Sequence, residues 1–195
     1  MGRSSQEQAL QNRARIVETA SGLFRRSGVD SVSVADVMKA AGMTVGGFYK
    51  HFASKDALVQ EALILSFSQA AESWLRISHQ DKPKARGSGA IIDHYFKEKA
   101  PEQTCPMIAF APHAPAEAYS KGAEKLLMQF LDHMHHARMN GCYDAASERE
   151  AKVLFAAMIG AKFLTRAAGN AEWVGSVRDA VSEMASPASP QSIVR

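Results

Sequence analysis

Apolar residues recur along this chain at helical spacing, in blocks set apart by glycine and proline, and nowhere alternate as in a strand. The clearest blocks lie between residues 33 and 52. Ser33 with Asp36 three residues on is a capping-box pair ahead of Val34, Val37 and Met38, so a helix starts there. Gly42 suits the left-handed backbone that ends it, and Thr44 is a good N-cap for a second helix from about Val45. Two short helices about a glycine turn form a helix-turn-helix. Downstream, a long helix is predicted from Ser54 to about Ser78, with Leu58, Ala62, Leu65, Ala70 and Trp74 among its buried positions. A polar loop follows from His79 to Gly89, then a helix from Ala90 to Lys99. Four prolines between residues 101 and 115 leave room for a short helix at Met107–Ala111. Longer helices are expected at Glu117–Arg138, ended by Gly141, and at Ser147–Ala168 and Ala171–Ala185, divided at Gly169-Asn170. The reading is an all-α chain with an N-terminal domain over 1–53, a larger helical domain over 54–185 and a frayed tail over 186–195.

Within the second short helix, Gly46 and Gly47 each cost roughly 1 kcal/mol against alanine, so helix propensity does not explain them. Close approach to a groove or phosphate does, because a side chain there would hold the helix off. Tyr49, Lys50 and His51 add donors suited to phosphates and base edges. An ordinary core hairpin, with Phe48 and Phe52 as packing, leaves the glycines and this polar trio unaccounted for.

Charge changes the picture in one respect. The net charge is +3, and residues 1–60 carry all of it, with eight Lys or Arg against five Asp or Glu. The positive field therefore coincides with the helix-turn-helix, as a DNA footprint requires. The polar N-terminus lacks a signal-peptide core, no apolar run reaches membrane-spanning length, and two cysteines make no disulfide framework. A cytoplasmic protein without membrane contact is expected. Phosphate loops, nucleophile elbows and paired metal-ligand motifs are missing from the sequence, so an enzyme is disfavoured, and neither catalytic residues nor a cofactor are assigned.

The segment Ile16–Leu63 resembles the DNA-binding domain of TetR-family transcriptional regulators. The resemblance rests on a helix over Ile16–Phe24, then Gly28, the block Ser33–Phe52, and Ala53-Ser54-Lys55-Asp56-Ala57-Leu58. It implies a three-helix DNA-binding domain followed by a helical ligand-binding and dimerisation domain. It also implies repression by default, with an operator duplex as partner. Thr44, Gly47, Tyr49, Lys50 and His51 would then lie at the groove and Lys55 on a phosphate, with Ser33, Val45 and Gly46 completing the contact set.

In the larger domain, the helix from Ser147 carries a wide apolar face that includes Leu154, Ala157, Met158, Ala161 and Leu164, with small residues that admit a second helix closely. Packing within one subunit explains this face as well as dimerisation does. The resemblance favours a homodimer through these residues with Val177 and Val181, and so a palindromic operator. Phe67, Trp74, Tyr95, Phe96, Met107, Phe110, Tyr119, Phe130, Met134 and Phe155 either line a cavity for an apolar or aromatic effector or fill it as core; the pattern leaves both open. The resemblance implies an effector pocket. Cys105, in Thr104-Cys105-Pro106-Met107, is similar to a Gly-Cys-Pro stretch of one subgroup, with threonine for glycine. At a helix start it is either a reactive thiol, giving an electrophile- or redox-responsive repressor, or an inert core residue. His133 and His136 share a helix face near Cys142 and His113 in composition, but no carboxylate or thiolate stands at ligand spacing, so no metal site is assigned and metal response is a minor alternative.

Overall fold

A computed structural model describes residues 2–79, 89–137, 145–169 and 171–185, with side chains from residue 6 onward. Most of the expected 79–89 loop, the helix end at Arg138–Gly141, Cys142, Asn170 and the tail over 186–195 lie outside the described residues. Eight α-helices occur among those described: α1 (Gly2–Ser27), α2 (Val34–Ala40), α3 (Lys55–Ser78), α4 (Ala90–Phe96), α5 (Pro106–Ala109), α6 (Ala116–Ala137), α7 (Ala145–Ala168) and α8 (Glu172–Ala185). Two 3-10 turns, Val45–Lys50 and Pro101–Gln103, complete them. The all-helical expectation holds, with differences at the ends. α1 starts far ahead of Ile16. α4 stops at Phe96 because the chain is already extended at Lys97 and stays so at Ala100, the residue Pro101 forces out of helix. α5 begins at Pro106, whose fixed φ suits a first helical position.

The chain divides into two compact units. The first joins residues up to 70 with 99–124; the second joins 71–98 with the residues from 125 on. Packing thus groups the helix-turn-helix with the first part of α3, α5 and the start of α6, a different division from the expected cut after residue 53.

In the first unit, Ile16, Ala20 and Phe24 recur every four residues along α1 and are fully buried. Met38, Phe48, Leu58, Ala62 and Leu63 share that core. Phe24 meets Phe110 edge to face with centroids 6.2 Å apart. Ser66 donates to the Ala62 carbonyl and lies 2.7 Å from Ser21, so two buried hydroxyls are satisfied by one chain of hydrogen bonds. In the second unit, α7 and α8 pack as a helical pair, and Phe155 of α7 meets Trp74 and Phe130. Leu65 and Ala70, expected to be buried, are half-buried.

The start of α2 is a complete capping box. The Asp36 amide donates to Ser33 Oγ at 3.1 Å, and the Ser33 amide donates to Asp36 Oδ2 at 2.9 Å. These bonds, the Ser33 hydroxyl first, hold the exposed Asp36 carboxyl below its usual value. A depressed carboxyl contributes stability that is fully present above its unfolded pKa of about 3.9 and is lost as pH falls through the folded value. Ser33→Ala should cost about 1 kcal/mol at neutral pH. Thermal melts should show the gap between variant and parent narrowing below about pH 4; a gap constant with pH would contradict the role of Asp36.

Candidate nucleic-acid interface

α2 ends as Gly42 suggested. Gly42 has φ +72°, its amide donates to Lys39 O, and the Met43 amide reaches back to Met38 O at 2.8 Å. This is a Schellman ending, which turns the chain sharply into the next element. That element is a 3-10 turn, Val45–Lys50, where an α-helix was expected. Gly46 and Gly47 remove the propensity that would propagate α-helix, and i to i−3 bonds such as Gly47 N to Thr44 O close the turn instead. Thr44 has the extended backbone of a cap, but its side chain makes no capping bond, which corrects the role expected of it.

Beneath the turn sits an aromatic platform. Phe48 is fully buried and stacks on Phe52 at 5.5 Å, and the Arg13 guanidinium lies 4.7 Å from the Phe52 ring centroid. Above it, Thr44, Val45, Gly46, Tyr49 and Lys50 are exposed while Gly47 and His51 are half-buried. Tyr49 is 71% exposed and braced edge-on by Phe48. A Cβ added at Gly46 would meet nothing within 4 Å, and one at Gly47 would only touch Met38 and Thr44 at ordinary contact distance. Nothing inside the chain therefore requires glycine at either position. Ser33 is exposed but occupied in its capping box.

Several of the eight cations behind the positive field are engaged within the first unit. Arg13 forms a two-point ion pair with Glu61, Arg26 pairs with Glu102 at 3.0 Å, and Arg25 is buried. Lys55 was expected on a phosphate; instead its ammonium donates to the Val29 carbonyl at 2.7 Å and ties the start of α3 to the turn before α2. Arg15, Lys39 and Lys50 are exposed. The cationic face is therefore narrower than the sequence count suggested.

The expected effector residues are shared between the two units. Phe67, Met107 and Phe110 belong to the first unit; Trp74, Tyr95, Phe96, Phe130, Met134 and Phe155 belong to the second. All are buried and packed on neighbours, Trp74 against Tyr95, Phe130 and Phe155, and Phe67 edge-on to Tyr119. Tyr119 donates to the Met107 carbonyl at 2.7 Å, and burial raises its phenol pKa. A groove of about 410 Å³ runs along α1 in the first unit, bordered by Glu18, Gly22, Arg25, Gln69 and Gln103.

Cys105 is 9% exposed and caps α5, which has only four residues, so little helix field acts on the sulfur. A different cation is near. Burial lowers the pKa of Arg25 and its attraction to Cys105 partly restores it, while Arg25 Nε donates to the Thr104 carbonyl at 2.6 Å. Sequence spacing gave no hint of this partner, which lies far away in the chain. Of the histidines weighed for a metal site and not assigned to one, His133 is buried on Ser78, His136 is exposed beside Asp132, and His113 faces Asp30 at 2.9 Å. No group of three or more candidate ligands gathers among the described residues.

The apolar face of α7 and α8 is two-sided. Leu154, Met158, Ala161 and Val181, expected at a dimer interface, are buried within the chain, with Ala157, Leu164 and Val177 half-buried. On the outward side Val153 and Phe163, which belong to the same wide apolar face of α7, and Trp173 and Met184 of α8 are each more than half exposed, and Gly160 faces open space. Val153, Ala156 and Gly160 recur at i, i+3 and i+7 along that outward side.

Residues 16–62 match the family described as "Bacterial regulatory proteins, tetR family". Over 82 residues the chain is 38% identical to the HTH-type transcriptional regulator AcrR of Shigella flexneri, a match covering 42% of this chain and 37% of that one. The chain thus spans well under half the length of this curated relative. In fold it is similar to reduced NemR of E. coli, with TM-score 0.72, 18% identity and coverage of 92% of this chain and 100% of the other. A transcriptional regulator from Saccharomonospora viridis in complex with choline is similarly close, with TM-score 0.73, 17% identity and coverage of 89% and 94%. Among the described residues no helix is long and apolar enough to cross a membrane.

Proposed function

We propose that the chain is a TetR-family transcriptional repressor that binds an operator duplex as a homodimer and leaves it on taking an apolar or aromatic effector, a reading that starts from the family match over residues 16–62. The observation that carries the reading is the outward face of the 3-10 turn. Gly46 and Gly47 have no internal steric need to be glycine, Tyr49 and Lys50 stand exposed, and the Phe48–Phe52 platform fixes all four. A surface built this way admits a phosphate backbone closely. Dimerisation is supported by the outward apolar stripe of α7 and α8, which leaves Phe163 and Trp173 exposed. The effector reading draws on the aromatic core of the second unit and on the choline complex of a regulator of similar fold. An effector taken up there would act by selecting a state in which the DNA-binding face is disfavoured.

A second reading has its own observation. Cys105 interacts electrostatically with Arg25, so an electrophile or oxidant acting at the thiol would disturb the Arg25 link to Thr104.

Gel-shift titration against duplexes recovered from a random pool tests the first reading. Tyr49→Ala should weaken every duplex by a similar factor, about tenfold, as loss of a backbone contact does. Lys50→Ala should weaken binding and also change which duplexes are preferred. Wild-type affinity in both variants would contradict the placement. Repeating the titration after N-ethylmaleimide treatment addresses the second reading, which requires release in the parent and none in Cys105→Ser.

A further inference from the structure

The recognised family segment begins at residue 16, yet α1 runs back to Gly2, adding 14 residues or about 20 Å of helix. This extension does not pack like the rest of α1. Residues 6–11 are all exposed, Leu10 to 69%, whereas Ile16, Val17 and Ala20 are buried. Gln6, Gln8, Gln11 and Asn12 make it rich in side-chain amides, and through Arg15 it holds three arginines against one glutamate. A helix with no buried stripe is one whose surface is used from outside or one that is weakly held. Here it is held at its base, because Arg13 pairs with Glu61 and covers the Phe52 ring. That anchorage sets the extension beside the 3-10 turn, and Gln6, Ala9, Leu10 and Arg13 border a groove of about 360 Å³ with Lys50 and His51.

We propose that this groove takes the sugar-phosphate backbone of the same duplex, so that Gln6 and Leu10 of the α1 extension form a second DNA contact flanking the one made by the turn. The inference rests on the DNA-binding reading above. Two features support DNA as the occupant. The groove is continuous with the proposed interface through Lys50 and His51, and its lining carries Arg13 and Lys50 and no carboxylate. Amides donate to phosphate oxygens, and an apolar leucine suits the sugar face. The helical repeat places Gln6, Leu10 and Arg13 on the groove side and Gln8, Gln11 and Arg15 on the opposite side.

This geometry supplies its own control. Gln6→Glu and Gln11→Glu make the same charge change on exposed positions of opposite faces of the full-length protein, and Leu10→Glu adds a second groove variant. Each is titrated against a duplex recovered from a random pool by the wild-type protein, with hydroxyl-radical footprinting of the complex and a melting curve to confirm folding. Gln6→Glu and Leu10→Glu should each weaken binding about tenfold at low salt and lose protection at the outer edge of the footprint. Gln11→Glu should stay within about twofold of the parent because its charge is distant and screened. Equal effects of Gln6→Glu and Gln11→Glu, with an unchanged footprint, would overturn the second contact while leaving the DNA-binding reading intact. A wild-type protein that enriches no duplex from the pool would overturn both.

Discussion

Phe48→Ala is expected to remove about 3–5 kcal/mol of stability and to abolish specific duplex binding with it. The ring is wholly buried, stacks on Phe52 and supports Tyr49 edge-on. Its own carbonyl accepts from the His51 and Phe52 amides, so the side chain and the backbone ending of the 3-10 turn sit on one residue. The turn carries two glycines near its start and is held largely by 3-10 bonds and this platform, and 3-10 geometry is intrinsically weak. The void left by alanine cannot be refilled by exposed neighbours. Denaturant unfolding should show the midpoint falling while the slope stays constant. Tyr49→Ala provides the contrast, because a largely exposed side chain should lose DNA affinity with stability changed by less than about 1 kcal/mol. Phe48→Ala with parental stability would show that the platform does not hold the turn.

Gly122→Val should destabilise the first unit by about 3 kcal/mol, near the upper end of ordinary overpacking. A Cβ at Gly122 would lie 2.4 Å from Cγ and Cδ2 of Phe67, so α6 and α3 approach here only because a hydrogen stands where a methyl would be. Phe67 is 3% exposed and edge-on to Tyr119 at 5.7 Å, which leaves its ring little room to turn aside. Alanine normally improves a helix by about 1 kcal/mol over glycine, so even Gly122→Ala should be destabilising, against propensity. Combining Gly122→Ala with Phe67→Leu should recover much of the loss, and chemical denaturation of the four proteins gives the coupling directly. Additive effects would mean that the two residues do not compete for the same space.

How far the sequence reached depends on the range of the interactions concerned. The capping box of Ser33 and Asp36 and the left-handed Gly42 are local chemistry, and both stand where the residues imply. The 3-10 form of the recognition turn was legible only in part: Gly46 and Gly47 signalled weak α-helix, but choosing between two helical hydrogen-bond patterns depends on the packing of Phe48 and Phe52. The engagement of Lys55 with Val29 and of Arg25 with Thr104 joins residues 26 and 79 positions apart, which no periodicity reports. On α7, the wide apolar face did not reveal which side its own chain would use. Leu154 and Met158 went inward, and Val153 and Phe163 remained outside. For the aromatic set, helical spacing identified burial correctly but not whether the rings enclose a space.

The central claim is that the exposed turn reads DNA. Its most direct test is an anisotropy titration of the full-length protein against a duplex recovered from a random pool and against a scrambled duplex of the same composition, across a series of salt concentrations. The account predicts a preference of about 10³-fold or more for the recovered duplex and affinity that falls steeply with salt for both. Equal affinity for the two duplexes at every salt concentration would contradict it.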